Sequence, residues 1–186
     1  MVKIRTFIAL SISDEAKAAI AQLISNSRDS VTAVRWVKPE NMHLTIKFLG
    51  VVDEKNLPEI ENALTESVKK IEPFHYQLNG TGCFPNCRHP RVLWVGIGES
   101  GGSLQHLYEN IEERLVKIGL PKEKRNFNPH LTVGRVKDSR KMMPDLSPFL
   151  SSSIGELKTE VTEVKLIKSI LQPSGARYVP LFAAKF

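Results

Sequence analysis

The chain has 186 residues, 41% of them hydrophobic and 25% charged, the usage of an ordinary globular domain with a core of its own, which excludes a disordered or fibrous chain. Its 26 Lys and Arg against 20 Asp and Glu leave a net charge of +6 at pH 7, which suits an anionic partner without specifying one. No stretch approaches the roughly 20 apolar residues that span a bilayer, and the apolar run Phe7 to Leu10 is too short for a signal segment. A cytoplasmic monomer with no membrane partner is expected.

In chain order, Arg5 to Leu10 reads as a strand. Ser13 is a natural N-cap, with Asp14 and Glu15 in the first turn of a helix whose buried face is Ala16, Ala19, Ile20, Leu23 and Ile24. MHLTIKFL is the next strand, residues 57 to 71 look helical, and Phe74 to Leu78 is a further strand. The stretch CFPNCRHP follows, where Cys83, Cys87 and His89 offer three ligands against the four of a closed zinc site. Free thiols are expected there, ahead of a local disulfide or a metal. Arg91 to Ile97 is again a strand, and the turn ESGGS leads to a helical stripe of Leu104, Leu107, Tyr108, Ile111, Leu115 and Ile118, closed by Gly119 and Pro121. HLTVGRV is the next strand. KMMPDLSPFLSSSIGELK is broken by prolines and serines, and Val161 to Ile170 is the last clear strand candidate.

These elements occur twice. A shift of 87 positions places Phe7 on Trp94, Leu10 on Ile97, Ile20 on Leu107, Ile24 on Ile111 and His43 on His130 without a gap. The expected fold is α+β: a single bilobal domain over residues 1–186 with an internal duplication. Its two lobes are related by a pseudo-twofold axis, each an antiparallel sheet with helices packed outside, and a central groove lies between them.

The two strands that begin His-Leu-Thr carry the chemistry. Alternate side chains share a face of a strand, so His43, Thr45 and Lys47 are expected on one face with Leu44, Ile46 and Phe48 on the core side, and His130 with Thr132 likewise. Two histidines with reference pKa values of ~6.5 can serve as acid and base near neutral pH. Set on opposite sides of one phosphorus by a pseudo-twofold axis, they suit in-line displacement. Thr45 and Thr132 add hydroxyls for non-bridging phosphate oxygens.

Arg135 and Tyr178 are candidate substrate contacts. Strict alternation turns Arg135 away from His130, so a bulge or a strand end is needed to bring it to a phosphate, and Tyr178 could stack a base or hydrogen-bond the phosphate. Arg5, Lys47, Arg88, Arg91, Lys124 and Arg125 are candidates for an electrostatic funnel. Pro129 holds Asn128 extended, and Asn128 and Phe127 read as structural. His75, His89 and His106 lack the motif and are left out of the site. The rival reading is an RNA- or nucleotide-binding module on the same fold without turnover, although binding alone requires no acid and base together.

His43-Leu44-Thr45-Ile46 and His130-Leu131-Thr132-Val133 resemble the paired His-x-Thr-x signatures of the 2H phosphoesterase superfamily. RTFIAL, WVKPENMHLTIKFLG, PRVLWVGIG, FNPHLTVGR and LQPSGARYVPL extend the resemblance, over nearly the whole chain, to the RNA 2',3'-cyclic phosphodiesterases, historically called 2'-5' RNA ligases. The resemblance implies metal-independent hydrolysis of an RNA 2',3'-cyclic phosphate end, such as that of a tRNA fragment, to a 2'-phosphomonoester. It implies no cofactor, and the reverse reaction is 2'-5' ligation. The near symmetry of the halves leaves acid and base interchangeable, and it is the resemblance that makes His43 the proton donor and His130 the proton acceptor. Gly134 departs from the family pattern, where alanine is more usual.

Overall fold

The computed structural model describes residues 2–99, 101–137, 145–155, 157–173 and 175–186. Its strands are β1 (Lys3–Leu10), β2 (Val34–Trp36), β3 (Leu44–Asp53), β4 (Phe74–Phe84), β5 (Val92–Gly98), β6 (His130–Val136), β7 (Lys158–Val161), β8 (Glu163–Gln172) and β9 (Gly175–Lys185). The helices are α1 (Asp14–Arg28), α2 (Leu57–Val68), α3 (Ser103–Lys117) and the single turn α4 (Ser147–Leu150). Residues 141–144 and 156 of the Pro- and Ser-broken stretch, Ser100 of ESGGS and Ser174 of the last turn lie outside the described residues.

The helices start and stop where local chemistry directs. Ser13 Oγ accepts from the Ala16 N–H at 3.1 Å, satisfying one of the donors left over at the first turn of α1. Ala16, Ile20, Leu23 and Ile24 are buried on its inner face. α3 buries Leu104, Leu107, Tyr108, Ile111 and Leu115, and Gly119 just beyond it has φ +86°, a left-handed conformation that glycine adopts without steric cost. Among the described residues no helix is long and apolar enough to cross a membrane.

The described strands form one antiparallel sheet in the order β7-β4-β5-β6-β3-β1-β8-β9, with β2 added on β6. Read outward from its middle, the sheet runs β3, β1, β8 on one side and β6, β5, β4 on the other. These are the elements that a shift of 87 residues brings together. The lobes are nevertheless not the halves of the chain. β4 from the first half pairs with β5 of the second, while β8 from the second half pairs with β1 of the first, so each side of the sheet needs both halves to form.

The two sides meet at a single registered pair, Leu44 with Leu131, and both side chains are fully buried. With so short a ladder, packing rather than hydrogen bonding holds the seam. Leu131→Ala is therefore expected to cost about 2–5 kcal/mol of stability, measured by urea unfolding at unchanged m-value. A loss below about 1 kcal/mol would show that the seam is not a packed core.

Cys83 and Cys87, expected as free thiols, are joined in a disulfide. The end of β4 folds back so that their Cα atoms lie 5.4 Å apart, within bridging distance.

Candidate active site

Register around the seam decides what faces what. With Leu44 opposite Leu131, one antiparallel step in either direction sets His43 across from Thr132 and Thr45 across from His130. Residues directly opposite share a face, so each histidine stands beside the threonine of the other motif. The two histidines are then diagonal neighbours, a relation that sets residues about 7–8 Å apart and leaves room for a phosphate between the imidazoles.

Both rings are held in the same way. His43 Nδ1–H donates to the Asn41 carbonyl at 2.8 Å and His130 Nδ1–H to the Asn128 carbonyl at 2.7 Å. A carbonyl only accepts, so each neutral ring carries its proton on Nδ1 and leaves Nε2 as the unprotonated nitrogen. Asn41 and Asn128 are again 87 apart. A shared Asn two residues before each His was the signal in the sequence for this arrangement, and reading Asn128 as merely structural missed its carbonyl. The Asn41 side chain also donates to the Ala176 carbonyl at 3.0 Å, tying the start of β9 to the first histidine.

Aromatic rings flank both imidazoles. His43 packs on Phe7 at 4.7 Å and meets Tyr178 edge-on at 5.1 Å, and His130 meets Phe84 edge-on at 4.9 Å. Burial, the largest influence, holds the His43 pKa below the ordinary histidine value of 6.5. The Asn41 hydrogen bond opposes that shift and the positive charge of Arg135 adds to it.

A repeated irregularity sets the rest of the wall. In β3 an extra residue, Ile46, falls between the partners of Ile8 and Ala9, and in β6 Val133 falls between the partners of Leu93 and Trp94. Both are β-bulges, which reset the alternation beyond them. Beyond the bulge in β6, Arg135 returns to the face of Thr132 and lines the groove, which meets the requirement read from the sequence. Beyond the bulge in β3, the expectation for Lys47 and Phe48 is reversed. Lys47 is turned inward and paired with Glu112, while Phe48 is 60% exposed on the groove wall. Lys47 still touches the groove lining, but its charge is matched by Glu112, so it adds little to an electrostatic funnel. Gly134 follows from the same bulge, because a Cβ there would meet Val34 Cγ1 at 2.8 Å and Trp36 Cε3 at 3.2 Å, and β2 already fills that space.

The groove holds about 540 Å³ and is lined by Thr45, Lys47, Phe48, Phe84, His130, Thr132 and Arg135, together with Glu123 and residues 125–128. His43 is not among the residues that line it, but stands two positions ahead of Thr45, which is. Tyr178 meets both His43 and Phe7 edge-on, at 5.1 and 5.0 Å. Phe127 stacks flat on Tyr108 at 4.3 Å. Phe84 had no signal in the sequence, since it belongs to no repeated motif.

A family model described as the 2'-5' RNA ligase superfamily matches residues 12–171. The chain is 38% identical over 178 residues to an RNA 2',3'-cyclic phosphodiesterase of Archaeoglobus fulgidus, covering 95% of this chain and 97% of that protein. It is 35% identical over 184 residues to one of Thermotoga maritima, covering 98% and 95%. Among solved structures, TT0787 of Thermus thermophilus superposes with a TM-score of 0.83 at 28% identity, over 98% of this chain and 97% of that one. Escherichia coli LigT complexed with 3'-AMP superposes with a TM-score of 0.79 at 23% identity, over 100% and 99%, a likeness of fold.

Proposed function

The chain belongs to the 2'-5' RNA ligase superfamily, and from that premise we propose that it hydrolyses RNA 2',3'-cyclic phosphate ends to 2'-phosphomonoesters with neither metal nor nucleotide cofactor. The observation that carries this reading is the pair of imidazoles set diagonally across the seam, each fixed at Nδ1 by a backbone carbonyl. The names of the curated relatives support the substrate.

In this mechanism His130 Nε2 takes a proton from water as its oxygen attacks phosphorus, the P–O3' bond breaks, and cationic His43 delivers its Nε2 proton to the departing 3'-oxygen. The phosphate keeps its bond to O2', and exchange with solvent restores both rings. Each proton transfer contributes roughly 10²- to 10⁴-fold. Thr45 and Thr132 donate to non-bridging oxygens, and Arg135 balances the charge that grows on them. Tyr178 packs edge-on against His43, and in this reading its ring is the aromatic surface offered to the terminal base. We also infer that the chain is a single bilobal domain made by internal duplication, since motif, preceding Asn and bulge all recur at 87 residues.

The acid must be protonated to act. With its pKa held below 6.5, His43 loses that proton as pH rises, so kcat/KM falls with increasing pH through an apparent pKa under 6.5. His43→Ala abolishes this limb, and a limb that survives the substitution contradicts the assignment.

The deciding assay incubates purified protein, with EDTA present, with a short oligoribonucleotide ending in a 2',3'-cyclic phosphate and identifies the product isomer chromatographically. Conversion to the 2'-phosphate is expected. Tight binding without turnover would replace this reading with the binding module. Ligation to a 5'-hydroxyl must compete with water at about 55 M, so it needs a groove that raises the local concentration of the second RNA end.

A further inference from the structure

Lys47 and Glu112 are charged, their side chains are only 5% and 4% exposed, and neither has a part in the proton transfers above. Lys47 is turned inward by the bulge at Ile46, beside the first motif. Its Nζ pairs with Glu112 of α3 and also donates to the Pro121 carbonyl at 2.8 Å, while Glu112 Oε2 accepts from the Glu123 N–H at 2.9 Å. One buried pair thus grips a carbonyl and an amide two residues apart.

The grip is passed along the segment. The Glu123 carboxylate accepts from the N–H groups of Lys124 and Arg125 at 2.9 and 3.1 Å and from Arg125 Nε at 3.2 Å. The chain then supplies the groove wall from Arg125 to Asn128, and the Asn128 carbonyl holds His130 Nδ1. Residues 120–129 have no helix or strand to fix their course. The arrangement has no counterpart in the other half, where Gly134 occupies the position equivalent to Lys47.

Stability does not explain such a pair, because apolar residues of similar shape commonly serve a buried site as well or better. Two backbone groups held in place do explain it. We infer that Lys47 and Glu112 are positioning residues that hold segment 121–128 so that its wall and the Asn128 carbonyl set His130 for catalysis. The kinetic part of this inference rests on the cyclic phosphodiesterase reading, and its structural part does not.

The test uses Lys47→Met/Glu112→Leu, which replaces the pair by apolar side chains, with Lys47→Gln as a second variant that keeps a donor and removes the charge. Circular dichroism establishes folding. The double variant is expected to lose at least tenfold in kcat/KM on the cyclic phosphate oligonucleotide. In a His130→Ala background, where the group being positioned is already gone, it is expected to lose nothing further. Trypsin is expected to cleave after Lys122, Lys124 or Arg125, all exposed, faster than in wild type, and Lys47→Gln to be intermediate in both readouts. Wild-type kinetics and cleavage in the folded variants would overturn the inference, as would an equal loss of rate in the His130→Ala background. Should the wild type hydrolyse no cyclic phosphate, the functional reading fails, and the trypsin comparison still decides whether the pair holds the segment.

Discussion

Alanine at either His43 or His130 is expected to lower kcat on an RNA 2',3'-cyclic phosphate by roughly 10²- to 10⁴-fold while the protein stays folded. Both rings are only partly buried, so their loss opens no large cavity, and circular dichroism and thermal melting check the fold. Because acid and base act on one phosphorus in one step, the double variant falls well short of the product of the two single losses. The roles separate through the leaving group. A phosphodiester that expels 4-nitrophenolate needs little help from an acid, so it restores much of the rate lost in His43→Ala and little of that lost in His130→Ala. The opposite pattern would exchange the two roles, and full activity in both variants would place the site elsewhere.

Arg135→Met carries the second large effect, a loss of about 10²- to 10³-fold, mainly in kcat. That is the scale for removing one donor aimed at charge that develops in the transition state. Arg135→Lys restores a point charge but not the planar fork that meets two phosphate oxygens together, so it recovers the rate only in part. The pH profile gives an independent readout. The Arg135 charge helps to hold the His43 pKa down, so its removal shifts the falling limb of kcat/KM toward higher pH. An unshifted limb with unchanged kcat would show that the guanidinium acts on neither phosphate nor imidazole.

Much of the site was legible because its chemistry is local. His-x-Thr-x needs only a strand to put two functional groups on one face, and it occurs twice at a spacing that Phe7, Leu10, Ile20 and Ile24 share with their counterparts. Ser13 caps α1 and Gly119 closes α3 through groups within a few residues. These features depend on the order of residues along the chain, and the sequence determined them.

Tertiary structure decided which way the wall residues face and which strands pair. Alternation assigns Lys47 to the groove and Phe48 to the core, yet a bulge is defined by mismatch with a partner strand, and those partners lie some 40 residues away in β1 and β5. The residue inserted at Ile46 reversed both assignments in β3, and the one inserted at Val133 brought Arg135 to the groove face in β6. The exchange of β4 and β8 between lobes depends likewise on which edge each strand meets after the chain has crossed the molecule. The Cys83–Cys87 disulfide depends on a fold-back that brings two Cα atoms to 5.4 Å. Identity and spacing thus set what chemistry the chain can carry, and pairing between distant segments, which no local pattern encodes, set where those groups point.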